Sequence, residues 1–294
     1  MSNLEKMMGM LEKSYSQFHA VRNIKEELIE NGFEELFEQS QFDLVPGHKY
    51  FVTRNDSSVI AFKFPKSASK QFKITATHTD SPTFKIKPNP IKRYKNIASL
   101  NCEPYGGGIY YSFFDRPLTL AGRVFVKTGE SVESKLLYID EDLCYIPSLC
   151  IHMNRNVNSS FEANPARDTI PMLGELPEDF SFNKFLSEKL GNEEVVSYDL
   201  YLAPREKPTL VGLNKEFVSS PKLDDLSAAY TALFGFLKAE DENAINVYAS
   251  FDNEEVGSTT KQGANSTFLT DTLTRVFAGL GLTQEDYLRA QASS

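Results

Sequence analysis

Apolar and polar side chains alternate along the chain with two different periods. Within residues 3–37, Ile24 and Leu28 lie at helical spacing among polar neighbours, which predicts amphipathic helices. His19 falls in this stretch, and we interpret it as a structural histidine that finds a partner near a helix end. A second helical pattern begins close to Asp224. The chain therefore carries helical segments near its start and in its last third.

Four segments show the period of two that is typical of β-strands: 50–54, 59–64, 72–77 and 245–251. The first two flank Asn55–Ser58, a turn whose Asn and Asp favour a hairpin. Because strands and helices alternate, the pattern predicts an α/β fold.

The middle of the chain has a different sequence pattern. Short β-like runs at 123–127, 135–139 and 195–201 alternate with loops, and no long amphipathic helix intervenes. We therefore expect a β-rich insertion over 87–216 that divides a discontinuous α/β domain, formed by 1–86 and 217–294.

Composition narrows the classes of function. A formal charge of −9 over 294 residues disfavours binding to nucleic acid, which needs clustered Lys and Arg. No apolar run approaches the roughly 20 residues of a membrane span, and the N-terminus lacks the pattern of a secretory signal. Three cysteines without a C-x-x-C pair predict a reduced, cytoplasmic chain. We expect no membrane or nucleic-acid partner.

The densest group of potential ligands follows the last predicted strand, in the segment Asp252–Ser258. Its neighbouring Glu254 and Glu255 lie where open α/β sheets place their ligands, at the carboxyl end of a strand. Because adjacent side chains diverge, one carboxylate can hold a metal while the other reaches a water molecule. The alternative is a solvated acidic turn.

Two further stretches carry metal-ligand chemistry. His78 leaves the predicted strand 72–77, and Asp80 follows two residues later, where it could orient the imidazole. Asp224 opens the later helix, and its two oxygens could bridge two metal ions. The alternatives are a structural turn for the first stretch and, for Asp224, a favourable place in a first helical turn.

In combination, these stretches resemble the aspartyl aminopeptidase family of cytoplasmic dinuclear metallopeptidases. The resemblance runs from the N-terminal helices to the last residue, and it includes Phe113–Arg123 and Ile151–Asn156 within the insertion. It implies a three-layer αβα metallopeptidase core with an inserted β-rich dimerisation domain. The implied reaction is removal of an N-terminal residue, preferentially Asp or Glu, from a peptide.

The resemblance also assigns roles to individual residues. His78 binds one metal ion, Asp224 bridges both ions and Glu255 binds the second. Glu254 is the general base on the bridging water, and Asp80 is the partner of His78 behind the metal. Two zinc ions are implied, although nitrogen and oxygen ligands also suit manganese or cobalt.

A further implied role concerns assembly. His152, in the insertion, matches the family's histidine that reaches into a partner subunit's site. The resemblance therefore implies self-association through the insertion, as a dimer and, in complete family members, as a dodecamer.

One departure from the family pattern affects the expected activity. After the segment matching Leu288–Ala290, family members supply an aspartate in an Asp-x-Ala-His stretch and a later histidine, and neither occurs here. We therefore expect a C-terminally truncated family member that keeps His78, Asp224 and Glu255 and is inactive alone. The alternatives are a non-catalytic paralogue that forms oligomers and a metal-dependent amidase or deacylase on the same scaffold.

Overall fold

The computed structural model describes residues 2–65, 71–240 and 243–294. Its helices are α1 Asn3–Lys13, α2 Gln17–Glu30, α3 Phe182–Lys189, α4 Leu223–Lys238, α5 Phe268–Gly279 and α6 Gln284–Ala292. Its strands are β1 Glu34–Leu36, β2 Lys49–Arg54, β3 Ser58–Lys63, β4 Phe72–His78, β5 Thr83–Tyr94, β6 Ile97–Tyr105, β7 Leu118–Thr128, β8 Ser131–Tyr138, β9 Met172–Glu175, β10 Val195–Pro204, β11 Thr209–Val211, β12 Phe217–Ser219 and β13 Ile245–Phe251. None of the helices in these ranges is long and apolar enough to cross a bilayer.

The chain folds into two compact units, one formed by residues up to Ser81 with Pro208–Ser294 and the other by Pro82–Lys207. The expected boundaries lay at 86/87 and 216/217. The small hairpin of β11 and β12 lies in the first unit, whereas the expected boundary at 216/217 falls between these two strands.

The first unit contains a five-stranded sheet in the order β1-β2-β3-β13-β4. The predicted hairpin is confirmed: β2 and β3 pair antiparallel, and Asn55 and Asp56 take positive φ angles of 59° and 53° in the turn. Both angles suit a tight hairpin turn, where Asn and Asp tolerate the left-handed region. The sequence missed β1, which begins four residues after α2 ends and pairs parallel with β2.

Helices cover both faces of this sheet. Phe51 and Ala61 lie in a buried cluster with α1, α2 and α4, whereas their neighbours Val52 and Ile60 lie in a second cluster with α5 and α6. Successive strand residues point to opposite faces, so apolar side chains at every position produce a sheet that is buried on both sides. The predicted three-layer αβα core is confirmed.

β4 forms one edge of the described sheet and sets the position of the site. It pairs in parallel with β13, so His78 lies opposite Phe251 at the carboxyl ends of both strands. The Thr79 N–H donates to the Phe251 carbonyl at 2.8 Å and holds the two strand ends together. Along its other side, β4 pairs with no strand of the described residues.

The second unit is built on a six-stranded antiparallel sheet in the order β8-β7-β10-β5-β6-β9. Its apolar core includes Leu120, Leu200 and Leu100, all fully buried, and α3 packs against it through Leu186. The β-rich texture expected for the middle of the chain is confirmed.

His19 is buried in α2 with only 2% of its surface exposed, and its Nδ1 lies 2.8 Å from the Ser16 hydroxyl. Burial, together with the charges of Arg22 and Lys222, lowers its pKa to about 3. Between pH 6.5 and 3 the unfolded chain therefore binds a proton that the folded chain does not. We expect the contribution of His19 to the free energy of unfolding to fall as pH drops through this window, by at most about 5 kcal/mol.

Urea unfolding at pH 7, 6 and 5 measures this effect. His19→Gln should flatten the decline, whereas His48→Gln, at a half-exposed histidine, serves as the matched control. An unchanged decline in the His19 variant would show that other groups cause it.

Candidate metal centre

The site lies where three segments of the first unit meet: the end of β4, the start of α4 and the loop after β13. His78 is the last residue of β4 and is partly buried. Its main-chain N–H donates to Asp225 Oδ2 at 3.1 Å, and the Ser81 hydroxyl donates to the Asp224 carbonyl at 3.0 Å. These two bonds fix the start of α4 against the end of β4.

The start of α4 has an unusual backbone. Asp224 is extended, with φ −83° and ψ 116°, and the Asp224–Asp225 peptide bond is cis. The side chain of Asp225 is directed to the β4 main chain, whereas Asp224 leaves 85% of its side chain exposed next to His78. Asp224 thus faces the metal-binding group, whereas Asp225 binds the main chain of β4. The sequence analysis considered only Asp224.

The carboxylate of Asp80 holds the main chain of the loop that follows β13. It is 1% exposed, and its two carboxylate oxygens each accept a main-chain hydrogen bond at 3.2 Å, one from Glu254 and one from Glu255. His78 Nδ1 lies 3.3 Å from Asp80 Oδ1 and 3.1 Å from the Asp80 carbonyl. One buried carboxylate therefore positions both the imidazole and the pair of glutamates.

His78, Asp224 and Glu255 converge, with one potential ligand atom from each lying within 4.8 Å of the others. His78 Nε2 and Asp224 Oδ1 are 3.4 Å apart. Two ligands bound at about 2.1 Å to one tetrahedral zinc ion lie about 3.4 Å from each other, so this spacing fits a shared ion. The donor set of one imidazole and two carboxylates also suits zinc.

Glu254 stands beside this group. Its Oε2 lies 3.9 Å from His78 Nε2, and 57% of its side chain is exposed. A carboxylate in this position is accessible to water and to a substrate, as a general base must be.

The negative charges dominate the electrostatics of His78. Burial lowers its pKa, but the hydrogen bond to Asp80 and the charges of Asp80, Asp225 and Glu254 outweigh that effect and raise the pKa to about 9. A cation that binds Nε2 must displace the proton held there at neutral pH. The same negative charges favour the cation.

Asp252 lies under the loop and is 1% exposed. Burial raises its pKa to about 6, against the opposing hydrogen bonds from Ser57, Asn253 and Gln262. It lies outside the ligand group.

The structure places His152 elsewhere. It lies in the second unit, exposed, in a turn where the main-chain N–H groups of Met153 and Asn154 donate to the Cys150 carbonyl. Its role across a subunit interface stays a prediction.

The fold and this geometry define a class: an αβα protein that presents a histidine and carboxylate metal-binding group at the carboxyl edge of its sheet. The family model described as "Aminopeptidase I zinc metalloprotease (M18)" matches residues 10–294. The chain belongs to this M18 family of zinc metalloproteases, and the predicted class, a hydrolytic metalloaminopeptidase, is confirmed.

Relatives with assigned names agree. The chain is 45% identical to "Probable M18 family aminopeptidase 2" of Clostridium acetobutylicum, in a match covering 99% of the chain and 70% of the relative. It is 36% identical to "Aspartyl aminopeptidase 1" of Schizosaccharomyces pombe, covering 92% of the chain and 64% of the relative. The chain thus spans roughly two thirds of the length of these proteins.

Solved structures extend the likeness to the fold. A cryo-EM structure of an Ape4 and Nbr1 complex matches with a TM-score of 0.89 and 35% identity, covering 97% of the chain and 60% of that structure's chain. A structure described as the Saccharomyces cerevisiae mApe1 dodecamer matches with a TM-score of 0.79 and 26% identity, covering 95% and 66%.

Proposed function

We propose that this chain carries the metal-binding part of an aminopeptidase site that removes acidic N-terminal residues from peptides. The observation that carries the proposal is the convergence of His78, Asp224 and Glu255 at one sheet edge, with Glu254 beside them. The preference for Asp or Glu is supported by the relatives that bear the name aspartyl aminopeptidase.

In the proposed site, His78, Asp224 and Glu255 would hold zinc, with two ions in the complete site. Zinc, when bound, polarises the scissile carbonyl and lowers the pKa of water. Manganese or cobalt would suit the same nitrogen and oxygen donors.

Glu254 is the general base, and then the general acid, of the proposed reaction. Its carboxylate accepts a proton from the attacking water as the water oxygen forms a bond to the carbonyl carbon. It then delivers that proton to the leaving nitrogen as the C–N bond breaks, so the products are a free amino acid and a shortened peptide. Asp80 keeps the imidazole of His78 and the glutamate loop in place throughout.

A hydrolysis assay tests the proposal. The 294-residue chain is joined after Ser294 to the remaining C-terminal part of the Clostridium acetobutylicum relative, giving what we call the extended chain. With zinc, the extended chain should release aniline dye from glutamyl- and aspartyl-anilides faster than from leucyl-anilide, and the 294-residue chain should be much slower. Equal rates on all three substrates would contradict the acidic preference.

We further propose that the second unit mediates self-association and that the first unit is catalytic. A cavity of about 830 Å³ in the second unit is lined by exposed apolar side chains that include Tyr94, Leu149, Met153 and Phe161. Met153 leaves 72% of its surface exposed and follows His152 directly. Apolar surface of this kind marks protein-protein contacts.

If His152 acts on the site of a partner subunit, its removal can be complemented. His152→Ala in the extended chain should lower turnover without releasing zinc. Mixing it with a Glu254→Gln extended chain should restore part of the activity, because one of the two sites in a mixed dimer pairs an intact base with an intact histidine. Activity is measured after exchange of subunits, with unmixed variants as controls, and no recovery would contradict the shared site.

Met153→Glu provides a separate check on association. It should raise the dimer dissociation constant about tenfold or more, as measured by analytical ultracentrifugation, because it places a charge within an apolar contact.

A cytoplasmic location is also part of the proposal, and the free state of Cys102, Cys144 and Cys150 supports it.

A further inference from the structure

The loop that presents the two glutamates starts from a fully buried strand. Every residue of β13 is buried, and so are Asp252 and Asn253, which are 1% and 8% exposed. The next residue, Glu254, is exposed. The chain must therefore turn sharply at Asn253 to bring the glutamates to the surface of the site.

Asn253 makes this turn with a left-handed backbone, at φ 63° and ψ 24°. Its carbonyl accepts the Ser258 N–H at 2.8 Å, which closes a loop around the short 3-10 helix Glu254–Val256. Asparagine adopts this backbone region more readily than most residues, although glycine does so at lower cost. The backbone alone therefore does not explain an asparagine here.

The side chain supplies the other reason. Asn253 Oδ1 accepts two hydrogen bonds, from Thr260 Oγ1 at 2.7 Å and from Gln262 Nε2 at 2.8 Å. Both donors belong to the segment 258–263, which we call the brace. A glycine at position 253 could take the same backbone but would leave both donors without this acceptor.

The brace is itself anchored to the sheet. The Ser58 hydroxyl, at the start of β3, donates to the Gln262 carbonyl at 2.7 Å, and Arg54 Nη1, at the end of β2, donates to the Lys261 carbonyl at 3.1 Å. Within the brace, Gly263 approaches Ser258 so closely that a Cβ would lie 2.3 Å from the Ser258 carbonyl oxygen. The brace therefore offers Asn253 a fixed support.

We infer that Asn253 is a positioning residue: its amide oxygen, held by the brace, sets the orientation in which Glu255 meets His78 and Asp224. Asp80 holds the main chain of the glutamates from one side, and the brace holds the residue that precedes them from the other. The inference rests on the proposed role of Glu255 in binding metal.

The test is a zinc titration of the 294-residue chain and its variants, with calorimetry for affinity and unfolding midpoints for stability. Asn253→Gly keeps the left-handed backbone and removes the acceptor, and it should weaken zinc binding about tenfold, at the lower end of the effect of groups behind a metal ligand. Asn192→Gly is the matched control, because Asn192 is also left-handed, at φ 72°, but lies in the second unit.

Thr260→Val removes one of the two donors, keeps the shape of the side chain and leaves Asn253 unchanged. It should weaken zinc binding in the same direction, and the double variant should be no weaker than Asn253→Gly alone, because both changes break the same bond. The visible absorption of bound cobalt should shift in both variants and not in the control, since that spectrum reports ligand geometry.

The outcomes separate the two levels of the proposal. If the unaltered chain binds no zinc, the proposed function fails. If it binds zinc and neither Asn253→Gly nor Thr260→Val changes affinity or the cobalt spectrum, the positioning role is overturned. If Asn253→Gly lowers the unfolding midpoint, Thr260→Val decides, and strictly additive losses in the double variant would also count against the brace.

Discussion

Glu255→Gln should weaken zinc binding by the 294-residue chain more than about 100-fold, a loss larger than that caused by changing a group behind the ligands. The amide lacks the negative charge of the carboxylate, and Glu255 supplies one of the three ligand atoms that converge within 4.8 Å. Calorimetry, or competition with a chromophoric chelator, measures the affinity directly.

Glu254→Gln is the matched comparison, because the same chemical change is made one residue earlier. It should leave zinc affinity within a few-fold of the unaltered chain and lower turnover of the extended chain about 10²–10⁴-fold, since glutamine cannot accept the proton of water. An equal loss of zinc in both variants would show that the roles of the two neighbours are wrongly divided.

Asp80→Asn should weaken zinc binding by about 10–100-fold, although Asp80 is not a ligand in the proposed site. Only one of its two oxygens would remain, so the N–H group of Glu254 or Glu255 would lose its acceptor. The contact with His78 Nδ1 would also lose its negative charge.

Asp115→Asn is the control for this change. Asp115 also accepts a main-chain hydrogen bond, from Ser148 at 2.8 Å, but it lies in the second unit. Zinc affinity that falls equally in both variants would point to a general loss of stability, and unchanged affinity in Asp80→Asn would remove Asp80 from the site.

The sequence predicted the fold where the pattern is local. Strands β2, β3, β4 and β13 were located to within one or two residues, because each shows an alternating or continuous apolar run bounded by turn residues. β1 was missed, since Glu34–Leu36 is short and follows directly on a helical pattern that the prediction carried to residue 37. Its strand conformation comes from pairing with β2, a contact that a local pattern does not contain.

The candidate ligands were named from their places at strand ends and a helix start. His78 ends β4 and Glu255 follows β13, and the parallel pairing of these two strands brings the two residues together. Sequence order alone does not give it, because β13 inserts between β3 and β4.

Asp225 and Asn253 escaped prediction for a different reason. Each sits next to a residue with more obvious chemistry. Asp225 accepts a hydrogen bond from the main chain of His78, 147 residues away, and Asn253 accepts one from the side chain of Thr260 in the loop that follows it. A side chain that orients the backbone leaves no period or spacing in the sequence. Only the folded arrangement reveals it.

No strand of the described residues pairs with the outer side of β4, and this affects the surroundings of the metal-binding group. A strand edge offers main-chain donors and acceptors to any extended segment that approaches it. Because β4 ends at His78, an extended segment that paired with its last residues would lie next to the metal-binding group. A segment bound at that edge would therefore also affect access to the metal-binding group.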